Sequence, residues 1–312
     1  MKKISVVVPM YNEEKMVFEC YSKLKDVIAR EKEYSLELVV INDGSKDETE
    51  EILTKLAKQD NMLKVISFSR NFGHQAAITA GLKYATGDVI AIIDADMQDP
   101  PEVIQDMLRL WEQGNDVVYG KRTKRKGESV FKVLSAKMFY ELLDSLSDTD
   151  IPKNTGDFRL VDRRVIDVIN ELPEQNKFLR GLFSWVGFKQ VACEYEREKR
   201  KCGKTKYSIS KMFKLAMDGI FSFSTKPLKL VGKLGIFSII LSIGILIYSL
   251  VSYAFNLNNL VPGWTSIMVT VTMLGGVQLV SLWVMSEYIG RIYNETKNRP
   301  QYIIDKKINI EK

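Results

Sequence analysis

Residues 4–13 read ISVVVPMYNE and residues 36–45 read LELVVINDGS, so each apolar, β-branched run ends in polar residues. Residues 89–96, VIAIIDAD, repeat this pattern. Short runs of this kind are typical of strands that are buried on both faces of a parallel sheet. Between the runs, apolar residues recur at helical spacing, as in residues 49–59 and 75–85. Alternating strands and helices predict a doubly wound α/β layer with right-handed crossovers.

Polar clusters follow four of the predicted strands, at the edge where such sheets bind their ligands. Because the carboxyl ends of parallel strands share that edge, we expect the four clusters to form one site. They are Tyr11-Asn12-Glu13, Asp43-Gly44-Ser45, Arg70-Asn71 and Asp94-Ala95-Asp96.

Asp94 and Asp96 carry the sharpest chemical indication. Side chains two apart on an extended backbone point to the same side, so both carboxylates can approach one hard cation that also binds a diphosphate. Two ordinary turn carboxylates are the alternative. No Gly-Lys-Ser/Thr loop occurs, and no Gly-x-Gly-x-x-Gly motif follows the first strand. A nucleotide would therefore be held by a metal and side chains.

The carboxyl-terminal third contains a long uncharged stretch. No Asp, Glu, Lys or Arg occurs among the 53 residues between Lys233 and Glu287, although 27% of the chain is charged. Because one bilayer crossing needs roughly 20 apolar residues, we predict a hairpin of two membrane spans, at about 234–255 and 265–287. A pair of buried helices in a large soluble core is the alternative.

Charge predicts the orientation of this hairpin. Basic residues flank it on both sides and none lies in the connecting turn, so the positive-inside rule places both termini in the cytoplasm. The first strand begins too early to leave room for a signal peptide. The sequence therefore predicts a multi-pass protein of the cell membrane with a cytoplasmic amino-terminal domain. The flanking basic residues are Lys226, Lys229, Lys233, Arg291, Lys297 and Arg299.

Cysteine and histidine content excludes several kinds of site. Cys20, Cys193 and Cys202 are an odd number without close spacing, which indicates reduced thiols and neither a disulfide framework nor a zinc site. His74 is the single histidine, so sites with several histidine ligands are excluded, and a hydrolase triad would have to use that one imidazole.

Six ordered motifs run along the chain: residues 7–14 VVPMYNEE, 40–45 VINDGS, 69–75 SRNFGHQ, 94–101 DADMQDPP, 120–122 GKR and 157–160 DFRL. Together they resemble glycosyltransferase family 2, and within it the polyprenyl-phosphate sugar transferases, which include dolichol-phosphate mannose synthase and the bactoprenol (undecaprenyl-phosphate) glucosyltransferases. The resemblance covers nearly the whole chain, but none of the motifs specifies the sugar.

The resemblance implies a GT-A, Rossmann-like fold, an inverting mechanism and a divalent ion, Mg²⁺ or Mn²⁺. It implies that Asp94 lies near the donor ribose and phosphate, that Asp96 and Gln98 join it at the metal, and that Asp157 matches the position of the catalytic base. The implied nucleoside contacts are Pro9, Tyr11, Glu13 and Asp43, and Arg70, Gln75 and Ala95 complete the candidate substrate residues.

From the same resemblance we expect transfer of a hexose, glucose from UDP-glucose, to undecaprenyl or another polyprenyl phosphate in cell-envelope polysaccharide modification. Mannose from GDP-mannose, an N-acetylhexosamine and a modified arabinose are alternatives on the same lipid. A non-catalytic membrane scaffold that binds a nucleotide sugar is an alternative of a different class. The expected partners are the donor, the lipid and the membrane, with no nucleic acid, and the resemblance favours a homo-oligomer.

Two basic stretches, residues 121–126 and 197–206, are available for phosphate groups. Because Arg can form paired hydrogen bonds with a phosphate, we expect Arg122, Arg200 and Lys206 to contact substrate phosphates. A run of positive charge is otherwise often only a solvated face.

The predicted division of the chain follows from these patterns. A GT-A domain covers residues 1–208, and apolar residues at helical spacing predict an amphipathic juxtamembrane helix over 209–229. An ordinary core-facing helix is the alternative there. The transmembrane hairpin covers 230–290, and a cytoplasmic tail covers 291–312.

The expected chemistry is in-line attack of a lipid phosphate oxygen on the anomeric carbon, with the nucleoside diphosphate leaving on the opposite face. A metal at Asp96 and basic side chains would stabilise the charge that grows on the leaving group. A phosphate monoester is largely dianionic near pH 7, since its second pKa is about 6, so a strong general base is barely needed. Our hypothesis is that Asp157 orients or finishes deprotonating the acceptor and counters an Arg or Lys near it.

Overall fold

The computed structural model describes residues 1–123, 152, 155–175, 177–197, 221, 224–254 and 263–310. The described strands are β1 Lys2–Met10, β2 Tyr34–Asn42, β3 Leu63–Phe68, β4 Val89–Ile92, β5 Val117–Arg122, β6 Thr155–Asp162, β7 Gln190–Tyr195 and β8 Ile304–Ile308. The described helices are α1 Val17–Ala29, α2 Thr49–Gln59, α3 His74–Tyr84, α4 Val103–Glu112, α5 Arg163–Glu171, α6 Leu179–Trp185, α7 Lys226–Ala254 and α8 Trp264–Thr296.

The described strands form one sheet in the order β7-β5-β6-β4-β1-β2-β3-β8. β1 lies between β4 and β2 and is parallel to both, and β3 is parallel to β2. The loops after β1 to β4 therefore share one edge of the sheet, which confirms the predicted α/β layer. β6 is antiparallel to β4, with Ile92 opposite Arg159. This reversal brings the beginning of β6 to the carboxyl end of β4.

Apolar side chains cover both faces of the sheet, as the β-branched runs predict. Along β1, Val6 and Val8 pack on one face with α1, α2 and α4, and Val7 packs on the other face with α3, α5 and α6. Alternate residues of a strand point to opposite faces, so a continuous apolar run is what a sheet between two helical layers requires. The two layers leave the ends of the strands as the exposed rim.

The carboxyl-terminal segment returns to the sheet, where the sequence predicted only a tail. β8 pairs antiparallel with the edge strand β3, with Val65 opposite Ile308. Asn309 Nδ2 then donates to the carbonyl oxygens of Ala57 at 2.6 Å and Leu63 at 2.9 Å. An edge strand has unpaired backbone groups, and β8 satisfies those of β3. The predicted boundaries at 208, 229 and 290 and the predicted homo-oligomer stay predictions.

The prediction of a multi-pass membrane protein is wrong. Within the ranges that the structure describes, no helix combines the length and the apolar content that a membrane crossing needs. The prediction counted uncharged residues, and uncharged residues are not all apolar: α8 contains Thr272, Gln278 and Ser281. Charged residues also fall inside both helices, such as Lys229 in α7 and Arg291 in α8. Residues 209–220, 222 and 223 of the helix predicted at 209–229 lie outside the described residues, and the last four positions of that range form the start of α7.

A buried carboxylate joins β1, β2, β3 and the segment before β4 at the opposite edge of the sheet. Glu37 is 4% exposed and accepts hydrogen bonds from Lys64 Nζ at 2.5 Å, from Thr86 N at 2.7 Å and from Ser5 Oγ. Burial opposes ionisation, but these hydrogen bonds outweigh it and lower the pKa of Glu37 to about 2.

We expect Glu37→Gln to destabilise the fold by about 3 kcal/mol at pH 7. Because the folded-state pKa lies below that of an unfolded Glu, the ionised Glu37 stabilises the fold above about pH 4.5, and this stabilisation is lost as the pH falls towards 2. Urea unfolding of both proteins at pH 7, 4.5 and 3 would measure the difference. A difference that stays constant over this range would contradict the assignment.

Candidate active site

The loops that follow β2 and β3 are joined through one buried carboxylate. Asp43 is 3% exposed and accepts hydrogen bonds from Asn71 Nδ2 at 2.8 Å, Phe72 N at 2.7 Å and Gly73 N at 3.0 Å. Burial raises the pKa of Asp43, and the two backbone hydrogen bonds oppose this rise. The two loops therefore form one continuous wall at the carboxyl edge of the sheet.

The loop after β1 extends this wall. Asn12 adopts a left-handed conformation with φ 53°, its backbone N donates to Ser45 Oγ at 3.0 Å, and its Oδ1 accepts from Lys46 N at 2.8 Å. Tyr11 and Glu13, on either side of Asn12, are half-buried. The loop after β1 thus lies beside the loop that carries Asp43.

Asp94 and Asp96 lie just beyond the end of β4. The strand ends at Ile92, and Ala95 and Asp96 form a turn, so the extended backbone on which the sequence argument relied does not continue through Asp96. The side chains of Asp94 and Asp96 are half-buried, and Asp96 Oδ1 accepts a hydrogen bond from Gln98 N at 3.2 Å. Met97, between Asp96 and Gln98, has a left-handed φ of 53°, which turns the chain sharply at this point.

Four side chains of alternating charge connect Asp94 to β6 and α6. His74 Nε2 lies 3.6 Å from Asp94 Oδ1 and 3.2 Å from Asp157 Oδ2. Arg180, from α6, donates from Nε to Asp157 Oδ1 at 2.8 Å and from Nη2 to Asp157 Oδ2 at 2.9 Å. We call these four residues, Asp94, His74, Asp157 and Arg180, the charged row.

The charged row shifts the ionisation of its members in opposite directions. Burial opposes the charge of Asp157, but Arg180 and His74 outweigh it and hold the pKa of that carboxyl well below its usual range. Burial likewise opposes protonation of His74, but the hydrogen bond to Asp157 and the charges of Asp94 and Asp157 raise its pKa to about 9. Burial, with the nearby carboxylates, raises the pKa of Asp94. Near pH 7 the row therefore contains an imidazolium between carboxyl groups.

A second charged cluster lies beside the first, around Asp99. This carboxylate is 1% exposed and accepts from Tyr195 Oη at 2.5 Å and from Arg122 Nη2 at 3.3 Å. Arg197 Nε lies 3.3 Å from the same carboxylate. Gly156 makes room for Arg122, because a Cβ there would lie 2.6 Å from Nη2. Two guanidinium groups thus share one buried carboxylate.

The family scan matches residues 5–169 to the model described as glycosyl transferase family 2. The matched range includes most of β1, all of β2 to β6, and both Asp94 and Asp96. The chain belongs to glycosyl transferase family 2. The GT-A, Rossmann-like architecture that the resemblance implied agrees with this membership.

Curated relatives of this family 2 transferase extend over nearly its full length. The chain is 52% identical to an uncharacterized glycosyltransferase, YkcC, of Bacillus subtilis (strain 168), with 98% of this chain and 94% of the relative covered. It is 43% identical to the bactoprenol glucosyl transferase of Shigella phage SfII, with 97% and 98% covered.

Among solved structures, the transferase is similar to glucosyl-3-phosphoglycerate synthase from Mycobacterium tuberculosis in complex with Mn²⁺, UDP and phosphoglyceric acid. The two are 18% identical, the TM-score is 0.49, and the match covers 70% of this chain and 76% of the other.

Several residues that the resemblance implied for the substrates have structural partners in the transferase. Gln75 Oε1 accepts a hydrogen bond from Leu179 N at 3.2 Å, which holds the start of α6. The Arg70 guanidinium is 4.0 Å from the centre of the Phe72 ring and its side chain is exposed. Pro9 is part of β1 and pairs with Ile41 of β2, and Ala95 is buried, with 4% of its surface exposed. Arg200 and Lys206 lie outside the described residues.

The sequence interpretation missed three members of this site. It treated His74 as a residue that shapes a turn, and it assigned nothing to Arg180 or Tyr195. His74 and Asp157 are 83 residues apart, and Arg180 follows no motif. The antiparallel return of β6 beside β4 brings Asp157 to this edge, and the pairing of β7 with β5 places Tyr195 beside Arg122. No local pattern could have indicated these contacts.

The turn at Asp94 and Asp96 supplies some, but not all, of the ligands that a hard divalent cation needs. Among the described residues, no three His, Cys, Asp or Glu side chains come together as a set of metal ligands. Mg²⁺ in nucleotide-dependent enzymes is usually held by one or two carboxylates, with phosphate oxygens and waters as the other ligands. The carboxylates of Asp94 and Asp96 and the amide of Gln98 suit that arrangement. Burial, and after it the neighbouring carboxylates, raises the pKa of Asp94, and a bound cation would offset both effects.

Proposed function

We propose that this transferase moves glucose from UDP-glucose to a polyprenyl phosphate, with inversion at the anomeric carbon. The observation that carries this proposal is the 43% identity, over nearly the whole chain, to a relative named bactoprenol glucosyl transferase. The site is compatible with it, because an acidic turn and groups of basic side chains lie at one edge of the sheet.

The donor would occupy the edge formed by the loops after β1, β2 and β4. In this proposal Asp43, Tyr11 and Glu13 contact the nucleoside, and Asp94 lies near the ribose and diphosphate. Asp96 and Gln98 would hold Mg²⁺ or Mn²⁺ with the diphosphate. When bound, such an ion supplies positive charge that stabilises the departing nucleoside diphosphate.

The acceptor phosphate would approach from the side of the basic residues. Arg122 is restrained by Asp99 and Tyr195, with its side chain 16% exposed, so its guanidinium is held in one orientation before any substrate binds. Preorganised charge of this kind stabilises a transition state without the cost of reorganisation. Arg200 and Lys206 are proposed as further phosphate contacts.

The test is to incubate the purified full-length protein with a polyprenyl phosphate and radiolabelled UDP-glucose, GDP-mannose or UDP-N-acetylglucosamine in separate reactions. We expect label in the organic phase with UDP-glucose, at a rate at least about tenfold above that with either other donor. The matched control is the same polyprenol without its phosphate, which we expect to remain unlabelled because it has no phosphate oxygen to attack with.

Each alternative has its own outcome in this assay. Labelled lipid with GDP-mannose or UDP-N-acetylglucosamine alone would replace glucose with that sugar. Donor binding without lipid-linked product, across all donors and both metals, would favour the non-catalytic scaffold and contradict the proposed function.

A further inference from the structure

The carboxylate of Asp157 is enclosed by the side chains of Arg180 and His74. Arg180 donates to both of its oxygens, and His74 Nε2 approaches one of them at 3.2 Å. The side chain of Asp157 is 7% exposed, while those of Arg180 and His74 are 22% and 42% exposed. A molecule that enters this part of the site therefore meets the guanidinium and the imidazole before it meets the carboxylate.

A further buried cation, Arg159, follows Asp157 by two residues in β6. Arg159 is 4% exposed, its guanidinium lies 4.4 Å from the centre of the Phe183 ring, and its Nη2 donates to Gly156 O at 3.1 Å. Arg159 and Arg180 bring two positive charges to the single carboxylate of Asp157. The surroundings of Asp157 thus favour an anionic ligand over a neutral one.

We propose that Arg180, held in place by Asp157, contacts the anionic phosphate of the acceptor, and that Asp157 is a positioning residue and not the proton acceptor. The inference rests on the proposed function and assigns a role to a residue outside the family motifs. The bidentate geometry at Asp157 fixes the plane of the Arg180 guanidinium, which is the geometry that Arg uses to bind phosphates.

The chemistry balances without a proton transfer to Asp157. A phosphate dianion supplies the oxygen that forms the new bond to the anomeric carbon, and the bond from that carbon to the donor diphosphate breaks. The nucleoside diphosphate leaves with the bonding electron pair. A sugar hydroxyl as acceptor would instead have to lose a proton to a base within hydrogen-bond reach.

A double-mutant cycle of Asp157→Asn and Arg180→Gln tests this assignment in the full-length enzyme with polyprenyl phosphate and UDP-glucose. We expect Arg180→Gln to raise the acceptor KM at least about tenfold, the effect of losing a hydrogen bond to a charged group. The affinity for UDP-glucose, measured by calorimetry without acceptor, should change less than about twofold. Arg180→Lys should have an intermediate effect, because it keeps the charge and loses the planar fork.

The cycle separates positioning from base catalysis. If Asp157 acts through Arg180, Asp157→Asn should lower kcat/KM in the parent enzyme but cause less than about a twofold further loss in the Arg180→Gln background. A further loss of about a hundredfold or more, which a general base would explain, would overturn the inference. An equal loss of donor and acceptor affinity in Arg180→Gln would overturn it too.

Arg109→Gln is the matched control, since Arg109 also pairs with a carboxylate, Glu31, at 2.8 Å, but on α4, outside the charged row. Its kinetics should stay within about twofold of the parent. Thermal unfolding of each variant checks the fold. If Arg180→Gln does not fold, Arg180→Lys takes its place in the cycle and the same criterion applies.

Absence of lipid-linked product from the parent enzyme would overturn the proposed function and the inference together. Product from the parent enzyme, with a large additional loss of kcat/KM in the double variant, would overturn the inference alone.

Discussion

Asp96→Ala is expected to lower the rate of sugar transfer at least about a thousandfold, which corresponds to about 4 kcal/mol of transition-state stabilisation. The turn after β4 offers carboxylates from Asp94 and Asp96, and an ion held there would lose one of few protein ligands. Initial rates at saturating UDP-glucose and polyprenyl phosphate, titrated with Mg²⁺ and with Mn²⁺, would measure the loss. Chelation by EDTA should abolish the parent activity, and either ion should restore it.

The surface residue Asp106, which is exposed on α4, provides the control. Asp106→Ala removes the same charge from the domain without touching the turn, so its rate should stay within about twofold of the parent. An Asp96→Ala enzyme with the parent rate and an unchanged metal titration would contradict the assignment of this residue.

Gly44→Ala is expected to destabilise the fold by about 3 kcal/mol or more and to abolish donor binding. Gly44 has φ 64°, and a Cβ there would lie 2.3 Å from the carbonyl carbon of Arg70 and 2.7 Å from Asn71 N. These are backbone atoms, so the loops after β2 and β3 would have to separate. The separation would break the hydrogen bonds from Phe72 and Gly73 to Asp43. Urea unfolding and calorimetry with UDP-glucose would measure the two effects.

Gly114→Ala distinguishes this steric clash from backbone strain. Gly114 has a similar left-handed φ of 87°, but its Cβ position has nothing within 4 Å. Gly114→Ala should therefore lower the free energy of unfolding by only about 1–2 kcal/mol, the cost of a left-handed backbone for a residue with a Cβ. Donor binding should be unchanged. If Gly44→Ala and Gly114→Ala lowered the free energy of unfolding equally, the contact between the loops after β2 and β3 would contribute nothing to stability.

Local patterns predicted the parts of the fold that depend on local physics. The β-branched runs at 4–9 and 36–42 became β1 and β2 because such runs suit strands covered on both faces. Polar residues after β1 to β4 meet at one edge because parallel strands align their carboxyl ends. The uncharged stretch misled the interpretation, since the absence of charge was taken for apolarity along α7 and α8.

The α/β class, the edge of the sheet that carries the site, and the family all follow from the order of residues along the chain. Tertiary structure decided which charges face one another. His74 contacts Asp157, which lies 83 residues away in the sequence, and Arg180 of α6 donates hydrogen bonds to the same carboxylate. The antiparallel pairing of β6 with β4 brings these residues together. Strand order and direction arise from the packing of the whole sheet, and no segment of the sequence encodes them alone.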